Sequence, residues 1–460
     1  MLHTPAGCPS KPEVPPPAEP RILLSAYQCG PGMGSVSQIG WQWYSRLASR
    51  LPVTLFTHVR NRPAIEAAGG SIGTSTICYI DTEWFAGPLY KLASRLFRGS
   101  EHGTFMVSSL DYFVFDRSLV RTARRAMQNG EDWDVVHAVT PVSPLAASRL
   151  HRLGRPVIVG PWNGHLGNPE GFDEILKRDA AWLYPLRVAG RWVDAAMGCS
   201  RNAAAILTAT RATREGIAPR YQPQCRPMLE NGVDLETFSP SPWGDHPGVA
   251  GAPLRLVFVG RLLPVKGVDM LIEAIAQLKH TGRQVELSVV GAGPAGHEWK
   301  ALVARLGMEH EVSFMGNLGP EAVAREIAHS HALCLPSIRE SGGGVLLEAM
   351  ACARPVIAFN FGGPAEIVSD EVGRLISARN RPELVRTLHE TLQDLFDHPE
   401  QWQARGAAGR HRVETCFGWD AKMNTAIEIY RELAQITDKP TRHQGKTAGP
   451  ERRLTGVQCS

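Results

Sequence analysis

Apolar residues along this chain gather into short, nearly unbroken runs, separated by stretches with a helical period. RILLSAY (21–27), LPVTLFTH (51–58), DVVHAV (134–139) and RPVIVGPW (155–162) are runs of strand length. A strand that is apolar on both faces is buried on both faces, which is the habit of parallel sheets. The 3.6-residue period from about Gln38 to Ser49 predicts an amphipathic helix between the first two. DAAMGCSR (194–201) and CRPMLENGVD (225–234) are read as the last strands of this half, closed by an Asn231-Gly232 turn. A second series of strands follows: LRLVFVG (254–260), VELSVVG (285–291), VSFMG (312–316), ALCLP (332–336) and PVIAF (355–359). Helices fill the gaps and continue over 381–395 and 398–412, and 417–433 is expected to be a final amphipathic helix. Alternating strands and helices predict an α/β protein with doubly wound parallel sheets.

A length of 460 residues suits two domains of about 200 each, with tails. Residues 239–253, SPSPWGDHPGVAGAP, are Pro/Gly-rich and aperiodic, and are read as the linker. The expected division is a disordered Pro-rich tail at 1–20, a first domain at 21–238, the linker, a second domain at 254–416, a last helix at 417–436 and a polar, basic tail at 437–460. Apolar content of 43% and charged content of 20% are globular values. A net charge of +4, partly in the tail, is far from that of a dedicated nucleic-acid binder, so no nucleic acid is expected as partner. The nine cysteines are odd in number and scattered, with no C-x-x-C, which suits a reduced cytoplasmic protein without zinc. No apolar run reaches 18 residues, so no transmembrane helix is expected.

Chemistry concentrates at residues 333–366, LCLPSIRESGGGVLLEAMACARPVIAFNFGGPAE. The order is strand, loop with Glu340, three glycines (Gly342, Gly343, Gly344), helix with Glu348, then strand. Bare backbone at a helix N-terminus presents N–H groups to an anion, at the strand ends where parallel sheets hold ligands. VGRLLPVKG (259–267) adds two cations: Gly260 ends a strand, Arg261 follows, and Lys266 precedes the next helix. Arg and Lys there can neutralise a diphosphate, and G-x-x-x-x-G-K-S/T is absent, so this is no P-loop. A glycosidase pair of Glu340 and Glu348 is disfavoured. Eight helical residues span about 12 Å, whereas retaining glycosidases hold their carboxyls about 5 Å apart. Separate acceptor roles toward two diols fit ionised carboxylates better.

The first half carries weaker signals. QCGPGMGS (28–35) can cradle a phosphate through Gly32 and Gly34, but it lacks a complete G-x-G-x-x-G/A. Arg60 and Arg62 after the second strand keep an NADP-dependent oxidoreductase as an alternative. His137, near a strand end, and Asn163 and His165, in a Gly-bracketed loop, are candidate sugar- or acceptor-binding residues, with a buried structural role open for His137. Asp132 and Asp134 spell D-x-D but precede their strand, so no metal site is assigned. The aromatic and basic segments 84–98 and 180–193 could lie on an anionic membrane surface or pack as ordinary helices.

VGRLLPVKG, RESGGGVLLEAMA, PVIAFNFGGPAEIV, ENGVDLETFSP and FGWDAKMNTAIEIY together resemble family 4 glycosyltransferases of the GT-B fold. GPGMGS, IGWQWYSRLA, NRPAIEA and GPWNGHLGNPEGF resemble a bacterial branch linked to surface-polysaccharide assembly. The resemblance implies two Rossmann-like domains facing across a cleft, with the last helix returning to the first. It implies a retaining, metal-independent enzyme of the hexosyltransferase type, with no cofactor beyond a nucleotide-sugar donor. The acceptor would be a glycan or a lipid-linked acceptor, reached in the cytoplasm or peripherally at the inner membrane face. By the same resemblance Arg261 and Lys266 neutralise the donor diphosphate, Glu340 binds the donor sugar and Glu348 the ribose. Gly343, Gly344 and Val345 offer backbone N–H groups, and Gly32 and Gly34 approach the diphosphate. The chain departs from the family at Gly342, where an aromatic is usual, and at Val139, where many relatives carry His. A GT-B-like protein that binds sugar nucleotides without turnover is the alternative within this fold.

Overall fold

The computed structural model describes residues 19–96, 110–177 and 186–437. The two tails, apart from a few inner residues, and parts of both aromatic-basic segments lie outside the described residues. Two all-parallel sheets form the frame. The first comprises β1 (Ile22–Ala26), β2 (Val53–His58), β3 (Thr76–Ile80), β4 (Val135–Thr140), β5 (Val157–Trp162), β6 (Ala205–Thr208) and β7 (Cys225–Pro227), in the order β3-β2-β1-β4-β5-β6-β7. The second comprises β8 (Leu254–Val259), β9 (Val285–Val290), β10 (Val312–Gly316), β11 (Ala332–Leu335), β12 (Val356–Phe359) and β13 (Gly373–Ile376), in the order β10-β9-β8-β11-β12-β13. Every residue of β1, β4, β5, β11 and β12 is buried, which is why these runs show no polar alternation. In each sheet the strand order reverses beside the first strand, and such switch points are where doubly wound sheets bind ligands.

Three elements differ from the sequence expectation. The 194–201 stretch is helical, continuing Leu186–Met197 and passing through Gly198 into Cys199–Asn202. Its alanines and methionine suit a helix, and the strand comes just after, as AILT. The edge strands β3 and β13 were not expected. Both are only half-buried, so neither has a continuous apolar run. Among the described residues, Cys29, Cys78, Cys199, Cys225, Cys334 and Cys352 are free thiols.

The Pro/Gly-rich stretch at 239–253 packs on the second domain. Trp243 is buried in that domain's core, and the fully buried Arg354 donates to Ser241 O (2.9 Å) and Pro242 O (2.9 Å). The chain crosses between cores earlier: Met228 belongs to the first core and Val233 to the second. It crosses back between Val413, in the second core, and Trp419, in the first. The two crossings run side by side. Val233 N donates to Phe417 O (3.2 Å) and Trp419 N to Val233 O (3.3 Å), a parallel bridge between Val233 and Gly418. The final helix, Trp419–Thr437, then lays Met423, Ala426 and Tyr430 into the core between β1, β4 and the Ser35–Ala48 helix.

Candidate active site

β8 ends at Val259, and Gly260 and then Arg261 follow, the latter exposed at the carboxyl edge of the sheet. A single turn, Pro264–Lys266, and Gly267 in the left-handed region (φ 67°) then lead into the Val268–His280 helix. Only glycine fits there, because a Cβ would lie 2.6 Å from Pro336 O. This turn aims Lys266 across the sheet edge, where its ammonium bonds and ion-pairs with Glu340. Lys266 and Glu340, placed on separate ligand groups by the resemblance, are therefore each other's partners in this structure. Both side chains are mostly buried, so the pair is only weakly screened.

Glu340 Oε1 also accepts from Gly343 N (3.4 Å), and Glu340 O accepts from Gly363 N (2.9 Å), which fixes the loop against the next turn. Gly343, left-handed at φ 65°, caps the Gly344–Ala351 helix without a side-chain cap. The N–H groups of Gly344 and Val345 lie in the first turn of that helix, which has no acidic residue, so its partial positive charge is open to an anion. Glu348 is one turn further on. Its carboxyl has no hydrogen bond among the described residues, and burial pushes its pKa up to about 7.

Across the cleft, Gly32 and Gly34 are exposed and left-handed (φ 73° and 101°) ahead of the Ser35–Ala48 helix. Arg60 ion-pairs with Glu83 and with Asp111 (3.3 Å), and Arg62 pairs with Glu66 (3.2 Å) and stacks on Tyr79. Neither is set aside for a 2′-phosphate, which weakens the oxidoreductase alternative. Asp132 pairs with Arg155 (2.5 Å) and Asp134 accepts from Arg21 N (2.7 Å), both at the amino end of the sheet, away from the cleft.

The structure corrects the role considered for His137. It is fully buried on β4, with Nε2 donating to Gly160 O (2.7 Å) and Nδ1 accepting from Tyr430 Oη (2.7 Å). The carbonyl can only accept, so the ring is the neutral Nε2–H tautomer, and burial pushes its pKa down to about 3. The ring ties the last helix to β5 and is closed to a substrate. His137→Ala is expected to cost about 2–4 kcal/mol in stability, since it leaves a cavity and two unpaired groups. Nucleotide-sugar affinity should stay within about twofold, and a large affinity loss in the folded variant would contradict this assignment. His165 adopts φ 57° and rests its ring over Gly216. Asn163 turns its amide to Glu230, donating from Nδ2 to Oε1 (2.6 Å).

Three residues at the crossing were missed by sequence reasoning. Glu230 and Asn231 face Gly342 and Gly344, and Lys422 of the last helix donates to the carbonyls of Leu229 and Glu230 (2.8 Å to the latter). Lys422 lies over the rings of Trp43 (5.2 Å) and Trp419 (4.7 Å), and burial pushes its pKa down to about 7. A lysine at the 419/422/426/430 spacing, on an otherwise apolar stripe, is the signal that could have found it.

Two Rossmann-like α/β domains with their cationic and carboxylate groups at facing strand ends define a GT-B protein. The sequence model of one family, Glycosyl transferases group 1, matches residues 246–409. A GDP-mannose-dependent alpha-(1-6)-phosphatidylinositol monomannoside mannosyltransferase of Mycolicibacterium smegmatis is 30% identical over 311 residues, 62% of this chain and 80% of that protein. The chain belongs to the group 1 glycosyltransferase family. A D-inositol 3-phosphate glycosyltransferase of Frankia alni is 36% identical over 220 residues, 44% of this chain and 52% of that protein. The chain thus spans about half the length of the first curated relatives it matches. Among solved structures, Anabaena HepE in complex with UDP superposes with a TM-score of 0.60 at 19% identity, covering 90% of this chain and all of that one. At that identity the likeness concerns the fold.

Proposed function

We propose that this chain moves a sugar from a nucleotide-diphosphate sugar to a hydroxyl of a glycan or lipid-linked acceptor, with retention at the anomeric carbon. The observation that carries this reading is the grouping of Arg261, the Lys266–Glu340 pair, the open head of the Gly344–Ala351 helix and the unpartnered Glu348 along one sheet edge. The anomeric C–O bond to the diphosphate breaks and its electron pair leaves with the nucleotide. The acceptor oxygen bonds the same face of the sugar, and its proton passes to the leaving phosphate. Arg261, Lys266 and the helix head stabilise the charge that develops on the leaving group, so no metal is required. Glu348 receives the ribose hydroxyls, Glu340 a hydroxyl of the sugar, and Gly32 and Gly34 admit the diphosphate from the first domain. Mannosyl transfer from GDP-mannose by the mycobacterial relative, and UDP in the HepE complex, support a nucleotide-sugar donor.

The test is a panel of UDP- and GDP-sugars scored by thermal shift and by release of nucleoside diphosphate. At least one should raise the melting temperature and be slowly hydrolysed. Tight binding without turnover with any acceptor would leave only the non-catalytic alternative.

A lipid-linked acceptor would bring the protein to the inner membrane surface. No helix among the described residues is long and apolar enough to cross a membrane. Trp84 and Trp192 are 71% and 76% exposed, on the Glu83–Leu96 and Leu186–Met197 helices, and such rings sit well at a lipid interface. The protein should float with phosphatidylglycerol vesicles and lose this when both tryptophans become Ala. Wild-type protein that stays with the soluble fraction would remove the membrane role.

A further inference from the structure

Glu230, at the crossing, has chemistry that the proposed reaction leaves unused. The residue is 5% exposed. Oε1 accepts from Asn163 Nδ2 at 2.6 Å, while Oε2 is buried and has no hydrogen-bond partner among the described residues. Lys422, the nearby cation, spends its bonds on the backbone carbonyls of Leu229 and Glu230 rather than on this carboxyl. An orphaned carboxylate oxygen in a fold that satisfies its neighbours marks a missing partner.

Its location says what kind. A Cβ on Gly342 would overlap Oε1, and one on Gly344 would lie 3.3 Å from Asn231 Nδ2. The first-domain carboxyl therefore sits against the bare backbone of the glycine run, beside Glu340, whose charge also reaches it. Gly342 is where the family resemblance expects an aromatic, and the room such a ring would need is taken here by Glu230. The departure in the second domain and the orphan in the first are one feature. Two carboxylates at one lip repel phosphate and attract hydroxyl donors. Oε2 is buried, so a hydroxyl reaches it only as the surrounding backbone yields. Gly342 and Gly343, without side chains, are suited to yield.

We propose that Glu230 is a specificity-determining residue for the transferred sugar, its Oε2 accepting a hydroxyl of that sugar beside the glycine run. The inference rests on the glycosyl-transfer reading. A site built around a buried acceptor discriminates strongly, because a sugar lacking the hydroxyl leaves the carboxylate unpaired. Burial raises the Glu230 pKa, against the hydrogen bond from Asn163 and the charge of Lys422, which lower it.

The experiment compares wild type, Glu230→Gln and Gly342→Ala by calorimetric titration with UDP, GDP, UDP-glucose, UDP-galactose, UDP-N-acetylglucosamine and GDP-mannose. Gln keeps an oxygen for Asn163 but turns the free acceptor into a donor; the Ala methyl displaces the carboxyl without removing it. For the best wild-type ligand, both variants should lose about tenfold or more in affinity for the sugar nucleotide, and less than about twofold for the parent nucleoside diphosphate. Equal losses for both ligands, or none, would overturn the inference, because a brace between domains would weaken all binding alike. Unchanged donor binding with a raised acceptor KM would place the hydroxyl on the acceptor and overturn it too. Wild-type binding to none of the six would overturn the glycosyl-transfer reading itself, and the inference with it. Should Glu230→Gln not fold, Gly342→Ala decides alone.

Discussion

Lys266→Ala is expected to lower kcat/KM for the donor at least tenfold, and Arg261→Ala by a similar factor. The Lys266 variant loses twice. It removes a cation from the leaving group, and it strips Glu340 of its ion-pair partner, leaving a mostly buried negative charge at the mouth of a site for a diphosphate. Lys266→Ala combined with Glu340→Gln should therefore lose less than the sum of the two single effects, because the second change removes the charge that the first exposed. Arg261→Ala leaves the Lys266–Glu340 pair in place. Steady-state nucleotide release in each variant is the measurement. Rates near wild type for both single variants would remove the diphosphate assignment.

The second large effect belongs to Glu348, and it depends on pH. Burial pushes the pKa of this carboxyl up to about 7. The folded state therefore binds this proton more tightly than the unfolded chain does. The stability it contributes is fully present below the ordinary Glu range and is lost as pH rises through about 7. Ribose hydroxyls donate hydrogen bonds, so they select the ionised form. Donor affinity should fall as pH drops below 7, by up to about tenfold per unit, with a proton released on binding near neutrality. Glu348→Gln should flatten that profile and raise the donor KM more than it lowers kcat. Calorimetry in buffers of different ionisation enthalpy reads the proton directly. An unchanged KM, or a pH slope that survives in the variant, would refute the ribose role.

How much of this was legible in the sequence follows from what a linear pattern can encode. Buried parallel strands are continuous apolar runs, so β1, β4, β5, β11 and β12 could be read off directly. β3 and β13 could not, since half-buried edge strands alternate weakly and GRLI opens on glycine. Arg261, Lys266, Glu340 and Glu348 were legible because each lies within a few residues of a strand end or of the glycine run. What stayed hidden was pairing at long range. The Lys266–Glu340 ion pair joins residues 74 apart in sequence, and the His137–Tyr430 bond joins residues 293 apart. Glu230 read only as part of a turn, because its chemistry comes from Asn163 and Gly342, which the fold brings to it.

The return of the last helix has a consequence for how the chain is made. Trp419, Met423, Ala426, Tyr430 and Leu433 are part of the core built on β1 and the Ser35–Ala48 helix, so the domain synthesised first is completed last. The second domain lies wholly between the two crossings and can close its core while the ribosome still holds the helix its predecessor needs. Until residue 433 or so emerges, the first domain shows an uncovered apolar face with Trp43 at its centre. A nascent chain in that state is a natural client for a chaperone.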